Sequence, residues 1–238
     1  MSDVAVFNSE LSTFLQERAI GSFGFADLSP IPDEDKYGFP RSISFGFPIK
    51  KNILKQITHG PTPEYYEEYK RLNSLLAKIA KELESYILSI GYSALAIDDD
   101  NRKYDTKSLT TLLPHKTSAT LSGLGWIGKC NLLITEEFGS GIRLGTVLTN
   151  IPLKTGNPIL ESKCGECKAC FALCPAKAIT GRNWKRGMKR DEIYEAHACK
   201  AMATRLSDAI RAGHTICGIC IANCPRTLRY VNGKGADY

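Results

Sequence analysis

The chain has 238 residues, of which 43% are hydrophobic and 24% are charged, and its formal net charge is +6 at neutral pH. This composition is ordinary for a folded protein and argues against a disordered one. No apolar run approaches the roughly 18 residues of a membrane span. Residues 1–25 lack the apolar core of a signal peptide, so we expect a cytoplasmic protein with no membrane partner.

The N-terminal part of the chain alternates predicted helices and strands. Residues 9–19 repeat apolar side chains at helical spacing, with Asn8 or Ser9 as the cap. The clearest helix runs from Pro63 to Ile90, follows Thr62 as its cap and carries one continuous apolar face. Strands are predicted at residues 22–26, 43–48, 94–97, 131–135 and 144–149. This alternation predicts an α/β or α+β domain.

A glycine-rich segment at residues 123–129 has the sequence Gly-Leu-Gly-Trp-Ile-Gly-Lys and matches the G-x-G-x-x-G pattern of dinucleotide sites. The context disfavours such a site. Residues 114–122 are polar rather than strand-like, and no acidic residue stands about 20 positions downstream. Two interpretations remain: a tight turn with close backbone packing, or a loop that lets the backbone approach a large flat ligand.

Eight of the nine cysteines form one pattern. Residues 164–175 have the spacing C-x2-C-x2-C-x3-C-P, which is typical of bacterial iron–sulfur ligands. Residues 217–225 contain three cysteines and a second Cys-Pro pair, so Cys199 must supply the missing ligand. The thiolates suffice for two four-cysteine [4Fe–4S] sites, and the predicted metal ligands are Cys164, Cys167, Cys170, Cys174, Cys199, Cys217, Cys220 and Cys224.

Other uses of the cysteines are less favoured. Zinc binds C-x2-C pairs but has no need for paired C-x3-C-P ends, and disulfides are rare in proteins of cytosolic character. Apolar residues between the ligands, namely Phe171, Ile219 and Ile221, are predicted to exclude water from the clusters. We expect a cofactor or substrate domain at residues 1–158 and a cluster domain at 159–238, where a helix at 191–212 carries Cys199.

The positive charge is concentrated at the end of the chain. Residues 161–238 carry 14 Lys and Arg against 7 Asp and Glu, which leaves a balance of −1 for residues 1–160. The densest segment, residues 182–190, includes Trp184 and no acid. We interpret this segment as a solvated linker. The alternative is a docking site for an acidic electron donor, such as a ferredoxin or flavodoxin, or, less favoured, for a nucleic acid.

The glycine segment, residues 132–134, 139–140 and 144–149, and the order of the cysteines resemble the epoxyqueuosine reductase family. The resemblance covers roughly residues 110–225. It implies an N-terminal domain with a nitroreductase-like, cobalamin-binding fold and a bacterial-ferredoxin-like domain with two [4Fe–4S] clusters. The related reductive dehalogenases share this plan.

The resemblance also implies site residues. One cluster is expected on Cys164, Cys167, Cys170 and Cys224, and the other on Cys174, Cys199, Cys217 and Cys220. Contacts to the cobalamin are expected from Gly123, Gly125, Trp126, Gly128 and Lys129. Gly125→Val is accordingly expected to abolish corrinoid binding and to leave the iron content unchanged.

Several positions depart from the family pattern. Leu109 replaces the Asp that acts as proton donor, and His115 and Lys116 replace a Glu-Arg pair. Cys130 replaces an Asn and is interpreted as a buried small side chain rather than a ninth ligand. The helical-repeat extension that the family uses on tRNA is not expected. His115 is the catalytic candidate, because its proton chemistry operates near neutral pH, although a histidine in a polar loop is more often a surface residue.

These features predict an oxygen-sensitive oxidoreductase. Single electrons are expected to pass through two clusters to a bound cobalamin and reduce a small or nucleoside-like substrate other than epoxyqueuosine in tRNA. The alternative is a non-catalytic electron carrier or a corrinoid-reducing partner protein. The missing family acid favours the carrier, whereas the glycine segment favours the enzyme.

Overall fold

The computed structural model describes residues 3–233 and confirms the mixed α/β class. The helices span Asp3–Gln16 (α1), Lys51–Gln56 (α2), Pro63–Ser89 (α3), His115–Leu121 (α4), Ala169–Leu173 (α5), Ala196–Ala209 (α6), Ile219–Ala222 (α7) and Pro225–Asn232 (α8). The strands span Ser22–Asp27 (β1), Arg41–Pro48 (β2), Ala94–Ala96 (β3), Tyr104–Asp105 (β4), Thr110–Thr111 (β5), Trp126–Ile127 (β6), Leu133–Ile134 (β7) and Ile142–Thr149 (β8). A 3₁₀ turn spans Arg190–Glu192.

Local chemistry explains where the predicted helices begin. The Thr62 hydroxyl accepts a hydrogen bond from the Tyr65 amide at 3.2 Å, which caps α3 as predicted. The first helix starts earlier than predicted, at Asp3, so Asn8 lies inside it rather than at its cap. The Asn8 amide instead exchanges two hydrogen bonds, of 3.0 and 2.8 Å, with the main chain of Lys154.

The helix predicted for residues 191–212 is divided into the 3₁₀ turn and α6. Glu195 caps α6, since its carboxylate accepts hydrogen bonds from the amides of His197 and Ala198. A capping carboxylate satisfies amides that have no partner inside the helix. Cys199 therefore lies in the first turn of α6, close to a well-defined helix start.

The chain folds as two compact units that do not follow one cut in the sequence. The first unit comprises Met1–Phe47, Asn73–Leu124 and Arg143–Ile159. The second comprises Pro48–Leu72, Gly125–Ile142 and Leu160–Tyr238. The last boundary between the units along the chain follows Ile159, next to the boundary predicted at residues 158–159. The segments Pro48–Leu72 and Gly125–Ile142 also belong to the unit that contains the cysteine runs. One change of unit falls inside α3, after Leu72.

The first unit is built on a four-stranded sheet of order β1-β2-β8-β3. The β1–β2 and β3–β8 pairs are antiparallel, with Ser22 opposite Gly46 and Ala94 opposite Thr149. Strand β2 is buried along almost its whole length, as expected for an inner strand covered on both faces. One core cluster of this unit consists of Ala26, Leu28, Ile97, Leu113, Leu121 and Leu148.

The second unit contains α2, α5, α6, α7 and α8 and the β6–β7 hairpin. The hairpin is antiparallel, with Trp126 opposite Ile134. Helix α7 packs against α5, α2 and α8, and α8 also packs against α2. Because α5 lies in the first cysteine run and α7 in the second, these contacts pack the two runs against each other within one unit. None of the helices in residues 3–233 combines the length and apolar character needed to cross a bilayer.

Candidate functional site

Four predicted ligands line one cavity in the second unit. Cys164, Cys167, Cys170 and Cys224 line a small pocket that is partly open to solvent. Three of these residues come from the first cysteine run, and Cys224 comes from the second run, at the start of α8. The structure thus brings together the set of four that the family resemblance implies for one cluster.

The cavity suits a group larger than a single ion. Zinc ligands must close around one ion with Zn–S bonds of about 2.3 Å, whereas a cubane takes one thiolate at each of its irons, so that the sulfurs stand around a multi-atom group. In residues 3–233 no group of three or more His, Cys, Asp or Glu side chains is placed to hold one metal ion. The four-thiol donor set is the one that a cubane takes.

The second predicted set also forms a neighbourhood. Burial raises the pKa of the Cys199 thiol, and the nearby Cys174 adds to this rise. Burial likewise raises the pKa of Cys217, to which Cys199 and Cys174 both contribute. The Tyr194 hydroxyl donates a hydrogen bond to Cys199. Burial, Cys199 and the nearby Cys220 raise the pKa of Tyr194. Cys174, Cys199 and Cys217 are thus neighbours, and Tyr194 lies near both Cys199 and Cys220.

Backbone geometry positions the second cysteine run. Gly218 stands between Cys217 and Cys220 with φ of +90°, a conformation that residues with a side chain rarely adopt. A Cβ at this position would lie 2.6 Å from the Ile57 side chain. Glycine therefore allows both the turn and the close approach of Ile57 that the ligand run requires.

Cys130 has a place that the sequence did not reveal. Its side chain is buried, as predicted, and it lines the same cavity as Cys164, Cys167 and Cys170. Its thiol also hydrogen-bonds with Cys170 and with Cys220, which are predicted ligands of different clusters. Cys130 thus lies between the two ligand sets. No spacing rule signals this, because Cys130 belongs to neither cysteine run.

The glycine segment is used for close packing. A Cβ on Gly125 would lie 2.2 Å from the Ile134 carbonyl oxygen, and one on Gly128 would lie 2.7 Å from the Ile134 side chain. In the first unit, a Cβ on Gly123 would lie 2.8 Å from the Asn157 carbonyl oxygen. Of the two interpretations drawn from the sequence, these contacts support the tight turn with close packing.

Two other residues of this segment differ from expectation. The Trp126 side chain is only 1% exposed, and its Nε1 atom is buried with no hydrogen-bond partner in the described structure. Lys129 is 5% exposed and donates from Nζ to the Cys167 carbonyl at 3.0 Å. Lys129 therefore faces the cysteine cavity. Of the five residues predicted to contact cobalamin, four are buried and Gly123 is half-buried.

The apolar residues between ligands also differ from one another. Ile219 is buried and Ile221 is half-buried, in keeping with the prediction that they exclude water. Phe171 is 46% exposed, so the prediction is wrong for this residue. Residue type gives only an average tendency to be buried, and neighbouring elements decide the outcome.

His115 is the first residue of α4 rather than part of a polar loop. It is half-buried in the first unit, and its Nδ1 atom lies 2.9 Å from the Thr146 hydroxyl. Burial, together with the positive charges of Arg102 and Arg143, lowers the pKa of His115 to about 4. The imidazole is therefore neutral at physiological pH and can act there as a neutral donor or acceptor.

The titration of His115 tests this environment. We expect its NMR resonances to titrate near pH 4 and not between pH 6 and 8. An unfolded chain takes up this proton at about pH 6.5, so stability should fall as the pH drops from about 6.5 to 4. Arg143→Gln should raise the midpoint. A wild-type midpoint near 6.5 would contradict the assigned environment.

No family model matches the chain. Solved structures resemble it in fold at low sequence identity. A catabolic reductive dehalogenase in complex with 3-bromo-4-hydroxybenzoic acid has a TM-score of 0.67 and 16% identity, over 87% of this chain and 30% of that one. A reductive dehalogenase described in terms of B12-dependent dehalogenation has a TM-score of 0.65 and 15% identity, over 87% of this chain and 29% of that one.

An epoxyqueuosine reductase with an epoxyqueuosine-modified tRNA-Tyr stem loop is also similar in fold. Its TM-score is 0.62 at 19% identity, over 99% of this chain and 67% of that one. At these identities the likeness shows the fold alone. The chain therefore has the fold that these reductive dehalogenases and this epoxyqueuosine reductase share.

Sequence comparison finds curated relatives among the epoxyqueuosine reductases. An epoxyqueuosine reductase of Lactococcus garvieae is 28% identical over 154 residues, which cover 65% of this chain and 40% of that protein. One of Gloeobacter violaceus is 31% identical over 169 residues, which cover 66% and 47%. The predicted resemblance to epoxyqueuosine reductases is thus confirmed. The chain spans less than half the length of these two relatives.

Proposed function

We propose that the protein is an iron–sulfur oxidoreductase that carries two [4Fe–4S] clusters. The observation that carries this proposal is the cavity lined by four thiols from two separate cysteine runs. Cys164, Cys167, Cys170 and Cys224 would hold one cluster, and Cys174, Cys199, Cys217 and Cys220 the other. The similarity to epoxyqueuosine reductases supports the same class of chemistry.

Bound clusters supply one-electron transfer, and the residues around them set the conditions for it. Lys129 holds a buried ammonium group against the first cavity, where it offsets the negative charge of four thiolates. Tyr194 donates a hydrogen bond to the Cys199 sulfur. Hydrogen bonds to ligand sulfurs stabilise the more negative, reduced state of a cluster. Both residues therefore favour acceptance of an electron.

Cobalamin is the second cofactor in this proposal. Its support is the fold shared with a dehalogenase described as B12-dependent. The five residues predicted to face the corrin are occupied by packing or by the cysteine cavity, so we assign no cobalamin contact to them and derive no step through this cofactor. Among the side chains of the glycine segment, the buried Trp126 N–H has no hydrogen-bond partner in the described structure.

The substrate has two candidates. The names of the curated relatives favour epoxyqueuosine. The chain's own residues favour another small or nucleoside-like substrate, because Leu109 stands where the family has its acid.

Leu109 lies between β4 and β5 with φ of +55°. The nearest acid in that hairpin, Asp105, accepts hydrogen bonds from the Ser108 hydroxyl and the Lys107 amide, which lower its pKa. Asp105 is thus ionised near neutral pH and does not replace the missing donor.

An anaerobic assay distinguishes these functions. The reconstituted protein is mixed with cob(II)alamin, and the visible spectrum should shift if the corrinoid binds. The same preparation, with reductant and epoxyqueuosine-containing tRNA, is expected to yield no queuosine by mass spectrometry, with the Bacillus subtilis epoxyqueuosine reductase as the active control. Efficient conversion would make epoxyqueuosine the substrate. A spectrum that stays unshifted at high corrinoid concentration would favour the non-catalytic electron carrier.

A further inference from the structure

The two cysteine runs contain equivalent helical turns. Residues 170–175 have the sequence Cys-Phe-Ala-Leu-Cys-Pro, and residues 220–225 have the sequence Cys-Ile-Ala-Asn-Cys-Pro. The first forms α5 and the second forms α7, and these two turns pack against each other. Residues 171–173 and 221–223 therefore occupy matching places, which makes one turn an internal reference for the other.

The two turns differ in how they are covered. In the second turn, Ile221 is half-buried, Ala222 is 1% exposed, and the Asn223 side chain donates to the Thr58 carbonyl at 2.8 Å. Helix α2 packs on this turn. In the first turn, Phe171 is 46% exposed and Leu173 is 50% exposed. Within residues 3–233, nothing equivalent to α2 and Thr58 covers this apolar pair.

Basic residues surround the uncovered pair. Lys168 directly precedes α5 and Lys177 follows Cys174, and both are exposed. The basic segment 182–190 folds back towards the same turn. A Cβ on Gly181 would lie 3.5 Å from the Phe171 ring, and the Asn183 side chain donates to the Gly165 carbonyl at 3.2 Å.

The acids near this surface leave its charge positive. Glu192 pairs with Arg182 at 3.1 Å, and Asp191 pairs with Arg190 at 3.6 Å. Glu166 is exposed beside the first run. Lys168 and Lys177, which are both exposed, flank Phe171 and Leu173 in the sequence.

We propose that this docking surface, formed by Phe171, Leu173, Lys168 and Lys177, binds a small acidic one-electron carrier protein. An aromatic and aliphatic centre with a charged rim is typical of protein interfaces, and complementary charge speeds the encounter. The proposal rests on the iron–sulfur function given above. One electron leaves the reduced carrier, which is oxidised, and enters a cluster, which is reduced.

The position of the docking surface favours a protein carrier over a nucleic acid. Helix α5 joins Cys170 to Cys174, which are predicted ligands of different clusters. A carrier seated on Phe171 and Leu173 therefore approaches both ligand sets. A nucleic acid would use the lysines for its phosphates and the Phe171 ring for base stacking. The nearness of both ligand sets, which an electron carrier needs and a nucleic acid does not, favours the carrier.

The test measures how fast the cluster-loaded protein is reduced in stopped-flow experiments. Reduced bacterial ferredoxin is the donor, and dithionite is the chemical reductant for comparison. For Phe171→Ser combined with Leu173→Ser, the second-order rate constant with ferredoxin should fall about tenfold or more, the effect of losing an interface hot spot. Lys168→Glu combined with Lys177→Glu should slow the reaction and flatten its salt dependence. Reduction by dithionite should stay at the wild-type rate.

Matched controls are available elsewhere on the surface. Leu88 is 53% exposed and Lys55 is exposed, so Leu88→Ser and Lys55→Glu repeat the chemistry away from α5. Both should be reduced at the wild-type rate. Wild-type rates with ferredoxin and with flavodoxin in the α5 variants would overturn the docking surface while leaving the clusters in place. A protein that takes up no clusters would remove the proposed function itself.

Two further outcomes would assign the surface differently. If the lysine variants lose affinity for a tRNA stem loop while their reduction by ferredoxin is unchanged, the surface binds nucleic acid. If the Phe171 and Leu173 variant turns a dimer into a monomer in analytical ultracentrifugation, a second copy of the chain covers α5. Either result overturns the carrier proposal.

Discussion

Replacing Cys199 with alanine is expected to lower the iron content of the anaerobically reconstituted protein from about eight to about four irons per chain. Cys199 lies on α6, outside both cysteine runs in the sequence, but it is close enough to Cys217 to raise the pKa of that thiol. Without it, the set with Cys174, Cys217 and Cys220 has three thiolates. The other set is complete without Cys199, so one cluster should remain. Iron analysis and electron paramagnetic resonance of the reduced protein measure both effects.

Cys130→Ala is the matched control for this experiment. Cys130 is also a cysteine beside both ligand sets, but it belongs to neither of them. This variant should keep about eight irons, as two four-cysteine cubanes require. Full iron content in Cys199→Ala would show that another residue completes the second site. A loss of about four irons in Cys130→Ala would make Cys130 a ligand.

Gly125→Val should destabilise the protein by about 3 kcal/mol or more, at the upper end of overpacking effects. The new Cβ would lie 2.2 Å from the Ile134 carbonyl oxygen, where only a backbone shift relieves the clash. Such a shift breaks the pairing of Trp126 with Ile134 in the β6–β7 hairpin. Because Ile134 also lines the cysteine cavity, iron should be lost together with stability.

This outcome differs from the one expected from sequence alone, in which only corrinoid binding is lost. Chemical denaturation followed by circular dichroism, with iron analysis, measures it. Gly21→Val is the control, because a Cβ at Gly21 meets no atom within 4 Å and should change stability by about 0.5 kcal/mol or less. If Gly125→Val keeps both its stability and its iron, close packing does not explain the glycine.

Local sequence signals predicted much of the fold. The apolar period and the Thr62-Pro63 start define α3, and the strands predicted around residues 22–26, 43–48 and 94–97 are present with shifted ends. Such features depend on neighbours in the sequence, which is why periodicity and capping reveal them. The cysteine spacing likewise identified four of the five cysteines that line the cavity as ligands, because ligand runs are short and regular, and the family resemblance grouped these four into one set.

Features that depend on distant segments were not predictable. The hydrogen bond from Lys129 to Cys167 and that from Asn223 to Thr58 join parts of the chain with no shared pattern. The same reason explains the exposed Phe171, since cover is supplied by elements remote in sequence. Sequence patterns predict a loop around His115, because a polar helix of one or two turns has no apolar period to reveal it.

The interleaving of the two units has a consequence for how such a protein can be inherited or re-engineered. Residues 48–72 and 125–142 belong to the same unit as both cysteine runs. Ile57 approaches Gly218, and Ile134 lines the cysteine cavity. A gene fragment that starts at residue 160 would carry all eight predicted ligands but neither of these supports. The cysteine-rich part is therefore not a module that recombination can transfer to another protein in one exchange.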